Sequence, residues 1–101
     1  SSQDSRNKIQ INLNTKKDKV IKEKNIKNEI TKYQITITSE ITYTVINEDR
    51  KKTFSISKNG DLNVATNTLQ TLNNEKKLTE TLSDKIVEDI LDRLNIELND
   101  S

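Results

Sequence analysis

Between residues 33 and 45 apolar and polar residues alternate almost without a slip. Tyr33, Ile35, Ile37, Ile41, Tyr43 and Val45 take the odd positions, with Ser39 as the single break. Gln34, Thr36, Thr38, Glu40, Thr42 and Thr44 take the even ones. A two-residue period sends the two sets to opposite faces of a β-strand. The β-branched and aromatic side chains suit a pleated surface, with one face packed and the other wet. Twelve steps at about 3.3 Å predict a strand of roughly 40 Å. Such a strand needs neighbours for its backbone groups and a cover for its apolar face.

Two neighbours are legible. Ile9, Ile11 and Leu13 alternate with Gln10, Asn12 and Asn14. The lysine-rich residues 15–19 interrupt that pattern, and Val20 and Ile21 resume it more weakly. The alternatives are one bulged strand over about 8–22 or a short strand followed by a loop. Asn47-Glu48-Asp49-Arg50 has turn chemistry. Phe54 and Ile56, set against Thr53, Ser55 and Ser57, predict a third strand. Lys58-Asn59-Gly60-Asp61 is expected to end it, because Asn-Gly readily adopts positive φ.

The last third changes period. Leu78, Leu82, Ile86, Val87, Ile90, Leu91 and Leu94 follow a spacing of three to four and predict a helix from Leu78 to Leu98 with one wide apolar face. Lys85, Glu88, Asp92 and Asn95 fall opposite, and Asp89 and Arg93 are spaced to pair along the helix. Asn67, Thr68, Thr71, Asn73 and Asn74 are candidate caps. The fold class is therefore α+β: a three-stranded, largely antiparallel meander packed by a C-terminal amphipathic helix. Residues 1–7 are expected to be a disordered terminus, and 8–98 one domain. One helix is too little cover for so long a sheet, so another element or a partner is expected on the remainder.

Composition narrows the chemistry. The 101 residues contain no Cys, His or Trp, which removes thiolate chemistry, imidazole bases and the usual metal ligands. With a single Gly there is no phosphate-cradling glycine loop. Seventeen basic residues against sixteen acidic ones leave no general basic excess for nucleic acid, and three aromatics make no stacking platform. The charge is nevertheless uneven. Lys8, Lys16, Lys17, Lys19, Lys22, Lys24, Lys27 and Lys32 lie in the first third, and the last third is acidic. Glu80, Asp84 and Glu88 are read as a solvated helix face, not an acid–base or metal pair. Asn59-Gly60-Asp61 lacks the remaining ligands of a calcium loop, and Asn99-Asp100-Ser101 is a three-residue sequon match. The start at Ser1-Ser2-Gln3-Asp4 reads as a processed or trimmed end.

The run Tyr33-Gln34-Ile35-Thr36-Ile37-Thr38, the strand carrying Phe54, and the helix segment Asp84-Lys85-Ile86-Val87-Glu88-Asp89-Ile90-Leu91-Asp92-Arg93-Leu94 together resemble the LPS-assembly lipoprotein family LptE, also called RlpB. The resemblance covers residues 8–96, and the lysine- and asparagine-rich style is similar to versions from AT-rich alphaproteobacteria. It implies the second to fourth strands of a four-stranded sheet and the closing helix. The family's first strand, first helix and lipidated Cys, through which it associates with the membrane, are not in this chain. It also implies a place on the periplasmic face of the outer membrane, no catalysis and no cofactor. The implied partners are an LptD-like outer-membrane β-barrel, which the protein would plug, and lipopolysaccharide.

In a meander the first turn and the end of the third strand share one end. Lys24, Lys27 and Lys58 are therefore expected to cluster there as ligands for lipopolysaccharide phosphates. An ungapped match places Ile26 at the family's basic position, between Lys24 and Lys27, and Thr71 near the second one. The competing expectation is a stand-alone periplasmic helix-on-sheet module that binds or inhibits another protein. An upstream lipobox Cys in the full gene would separate the two.

Overall fold

The alternating segment becomes the central strand of the sheet. The computed structural model describes residues 9–46 and 48–99. Residues 1–7, expected to be disordered, lie outside them, as do Asn47 of the second turn and the last two positions of the sequon. Strands β1 (Ile9–Lys24), β2 (Ile30–Val45) and β3 (Arg50–Asn63) are followed by one helix, α1 (Thr68–Asn99). The sheet is antiparallel in the order β1-β2-β3. The molecule is long, measuring 65 × 20 × 18 Å.

The odd residues of β2 form the floor of the core. Ile35, Ile37, Ser39, Ile41 and Tyr43 are all buried, joined by Phe54 and Leu62 of β3. Leu82, Ile86, Ile90 and Leu94 of α1 close the core from above, one every fourth residue. Ser39 is the polar break in this apolar line, and its hydroxyl lies 2.7 Å from that of Thr15. That bond supplies the partner a buried hydroxyl needs. The even residues face away from the helix, where Thr38 bonds Ser57 (2.8 Å) and Thr42 bonds Thr53 (3.1 Å) across the strands.

Four expectations are corrected. Of the two alternatives for the first strand the single bulged strand holds, but the lysine-rich stretch does not interrupt it: its pairing runs regularly from Ile9 to Ile21 and shifts register only between Ile21 and Lys24. Lys17 and Lys19 keep the period of two and reach up to Glu75, 2.7 Å each, while Lys16 and Asp18 take the opposite parity. Second, β3 does not end at Lys58-Asn59-Gly60-Asp61. It continues to Asn63, Gly60 pairs with Ile35, and its φ is not positive. The glycine serves packing instead, since a Cβ there would stand 2.8 Å from Leu78 Cδ1.

Third, the helix runs beyond Leu78–Leu98, over Thr68–Asn99, its 32 residues extending about 48 Å, and its start agrees with the first of the candidate caps, Asn67. Asn67 caps it: its Oδ1 accepts from Leu69 N at 2.8 Å, while the Thr71 hydroxyl accepts from Ala65 N at 2.9 Å. Fourth, Asp89 and Arg93 do not pair with each other. Asp89 holds Lys58 of β3 at 2.7 Å, and Arg93 turns to Glu97 at 3.1 Å with its guanidinium over the Phe54 ring. The apolar face of α1 is also narrower than its sequence suggests, for Val87 is 53% and Leu91 62% exposed.

Candidate functional site

The β1–β2 connection is a tip built around one side chain. Asn25 Oδ1 accepts from the backbone N–H of Lys27 at 2.9 Å and of Glu29 at 3.0 Å. Its backbone N–H donates to Glu29 O, and Asn28 N–H donates to Asn25 O, both at 2.9 Å. Asn28 takes φ 67°, a left-handed conformation that Asn tolerates. With these bonds inside the turn, Ile26 is left at the apex, fully exposed, between Lys24 and Lys27.

The stem beneath is tied down. Thr31 Oγ1 donates to Glu23 at 3.0 Å, and Lys22 binds both oxygens of Asp61 on β3 at 2.7 and 2.9 Å. The Lys22 hydrogen bond holds the Asp61 carboxyl below its ordinary range. Lys19 sits over the Tyr33 ring, 4.4 Å from its centre. Beside it is a shallow depression of about 240 Å³, lined among others by Ile30, Tyr33, Val64 and Leu72. Val64, Leu69 and Leu72 are exposed, so this pole joins aliphatic surface to the lysines of the tip.

Two of the three expected lysines therefore meet here. Lys24 closes β1 opposite Ile30, and Lys27 lies in the turn. Lys58 does not join them. It pairs with Ile37, seven residues along β2, roughly 23 Å away, and its ammonium is held by Asp89. The signal for this was present. Ile56, Lys58, Gly60 and Leu62 share one parity, so the alternation runs straight through the supposed turn. The Thr71 hydroxyl braces the β3–α1 connection, and Lys76 and Lys77 just after it are exposed.

No family model matches this sequence, and no curated protein is significantly similar to it.

Among the described residues no group of three or more acidic side chains is placed to hold a metal ion. No helix there is long and apolar enough to cross a membrane. No buried side-chain nitrogen or oxygen among them lacks a partner. A group of titratable side chains stands at the pole opposite the tip. Tyr43 OH donates to Glu97, whose other oxygen accepts from Arg93, and Tyr43 meets Phe54 edge-on at 6.2 Å. Burial, reinforced by the Glu97 bond, pushes the Tyr43 phenol from 10 up to about 12. The same bond, together with Arg93, holds Glu97 below its ordinary value.

A phenol at 12 is no base near neutrality, so the cluster locks the end of α1 to the sheet. The fold favours the neutral phenol. That contribution is complete below pH 10 and is lost as the pH rises from 10 through 12. Glu97 acts in the opposite range, its contribution present above the ordinary carboxylate pKa and lost as the pH falls through its depressed value. Urea melts across pH 9 to 12 should show a falling midpoint in the native chain. Tyr43→Phe should flatten that alkaline limb, and a limb left intact would place its origin elsewhere.

Proposed function

We propose that this chain is a non-catalytic, lipid-handling domain that binds lipopolysaccharide through the Lys24–Ile26–Lys27 tip. We further propose that it belongs to a subunit of the LptE kind, on the periplasmic face of the outer membrane, plugging an LptD-like barrel. The reading rests on one observation: a fully exposed isoleucine at a braced hairpin apex, flanked by two lysines. Lipopolysaccharide carries phosphates beside acyl chains. An aliphatic apex with ammonium groups on either side matches both parts. The order of strands and helix is consistent with what the resemblance implies. Lys58 enters this reading as the residue that fastens α1 through Asp89.

The test is binding of the chain to lipopolysaccharide aggregates and, separately, to neutral phosphatidylcholine vesicles. Ile26→Asp and the pair Lys24→Glu/Lys27→Glu are expected to weaken lipopolysaccharide binding at least tenfold and to leave the melting temperature unchanged, since all three side chains are exposed. Binding unaffected by either variant removes the tip from the reading. The barrel partner is tested by pull-down from detergent-solubilised envelopes with the full-length protein as bait. A large outer-membrane β-barrel in fixed stoichiometry supports the plug role.

The second reading, a protein-binding module, is favoured by the sheet itself. The helix leaves the part of the inner face of β1 that carries Ile11 and Leu13 uncovered, and both are exposed.

A further inference from the structure

The spacing of α1 gives each of its sides an address. Leu82, Ile86, Ile90 and Leu94 point down into the core. The residues just before them, among them Asp89 and Arg93, reach Lys58 and Phe54 of β3, so that flank faces β3. The residues just after them lie about 100° the other way, on the flank that faces β1. Glu75, two turns before Ser83, reaches Lys17 and Lys19 of β1. Ser83, Val87, Leu91 and Asn95 therefore look out over β1. The residues two positions on, Glu80, Asp84, Glu88 and Asp92, form the crest farthest from the sheet, and all four are exposed.

The inner face of β1 carries Ile9, Ile11, Leu13 and Thr15, which pair with Val45, Tyr43, Ile41 and Ser39. The Gly60–Leu78 approach and the Tyr43–Glu97 bond fix the helix along the sheet, so that Val87 and Leu91 stand beside this segment. The result is a groove. Ile11 (41% exposed) and Leu13 (59%) make its floor, and Val87 (53%) and Leu91 (62%) make its wall. The Lys17–Glu75–Lys19 bridge closes one end. The acidic crest forms its upper rim, and none of the four crest carboxylates makes an ion pair among the described residues.

We infer that this groove is the docking site for an amphipathic helix of a partner protein, with an aliphatic stripe on one side and lysines or arginines along its upper edge. The length fits. From Ile9 to Thr15 is roughly 20 Å, the span of a helix of about 13 residues. The charge selects the class of occupant. A basic edge would meet Asp84, Glu88 and Asp92 along the rim, whereas an acidic edge would be repelled. A second copy filling the groove with its own helix would set acid against acid. This inference is independent of the lipid-binding tip, which lies at the other end of β1.

The test uses the 101-residue chain and two synthetic 14-residue helices, one of leucine and lysine and one of leucine and glutamate with the same apolar stripe. Methyl NMR of the chain is expected to show shifts at Ile11, Leu13, Val87 and Leu91 with the lysine peptide and none with the glutamate peptide. Leu91→Asp should weaken the lysine peptide at least tenfold with an unchanged melt, because Leu91 lies outside the core. Reversal of the crest by Asp84→Lys, Glu88→Lys and Asp92→Lys should exchange the preference. Lys24→Glu/Lys27→Glu at the tip should change neither peptide's binding. Equal binding of the two peptides, or binding that survives Leu91→Asp, overturns the proposal. So does concentration-dependent dimerisation that Leu91→Asp abolishes, since the occupant would then be a second copy.

Discussion

Ile41→Ala should lower the free energy of unfolding by about 2–5 kcal/mol, the range found when a buried branched aliphatic is cut back to a methyl. Ile41 is wholly buried on β2, opposite Phe54 on one side and Leu13 on the other. The helix lies over it, so truncation leaves a cavity that a long rigid sheet cannot collapse around. For a domain of this size the total is about 5–15 kcal/mol, so the loss is a large share of it. Leu13→Ala is the matched control. Leu13 stands directly beside Ile41 on the same face of the sheet, but 59% exposed. Its truncation should cost no more than about 0.5 kcal/mol, as for other surface positions. Urea melts of the two variants read the difference directly. Equal costs would mean that α1 covers β1 as well as β2 and β3, and the groove beside Val87 and Leu91 would be closed.

That contrast also shows where sequence stops informing. Leu13, Ile41 and Leu91 are indistinguishable as members of periodic apolar patterns. The period assigns each to a face of its own element, and the structure agrees for residues 33–45 of β2. Which face receives a cover depends on where α1 crosses, and periodicity within one element carries no information about that. The lysines of β1 misled for a related reason. Lys17 and Lys19 break an apolar pattern but not a strand, because their long stems reach out to Glu75 from the inner face. The tip was legible in part. A meander requires a first turn between its strands and puts Lys24 and Lys27 there, whereas the bracing of that turn by Asn25 is visible only in the structure. Lys58 lies away from the tip because Asn59-Gly60, a turn signal by residue type, sits inside a strand whose continuation shows in the shared parity of Ile56, Lys58, Gly60 and Leu62.

Gly60→Val tests that point by energy. In a turn of positive φ a β-branched residue would be strained by its own backbone, whatever its neighbours. In β3 the backbone is extended and valine suits it, by up to about 1 kcal/mol over glycine. The obstacle is instead above the strand. A Cβ at Gly60 would stand 2.8 Å from Leu78 Cδ1, with Leu78 Cγ and Cδ2 at 3.6 and 3.7 Å. Leu78 is packed against the core cluster and moves only at the expense of its own contacts. Overpacking of this kind costs about 1–3 kcal/mol, so net destabilisation is expected. Leu78→Ala alone should also destabilise, by removing a partly buried side chain. The double variant Gly60→Val/Leu78→Ala decides between the two origins. If the glycine makes room for the helix, the new methyls enter the space Leu78 vacates. The pair should then be more stable than the sum of the single changes, with a coupling of about 0.5–3 kcal/mol. Simple additivity would locate the strain in the backbone and return residues 58–61 to a turn. Partial recovery ties the single glycine of this chain to the seating of Leu78, and with it of α1, on β3.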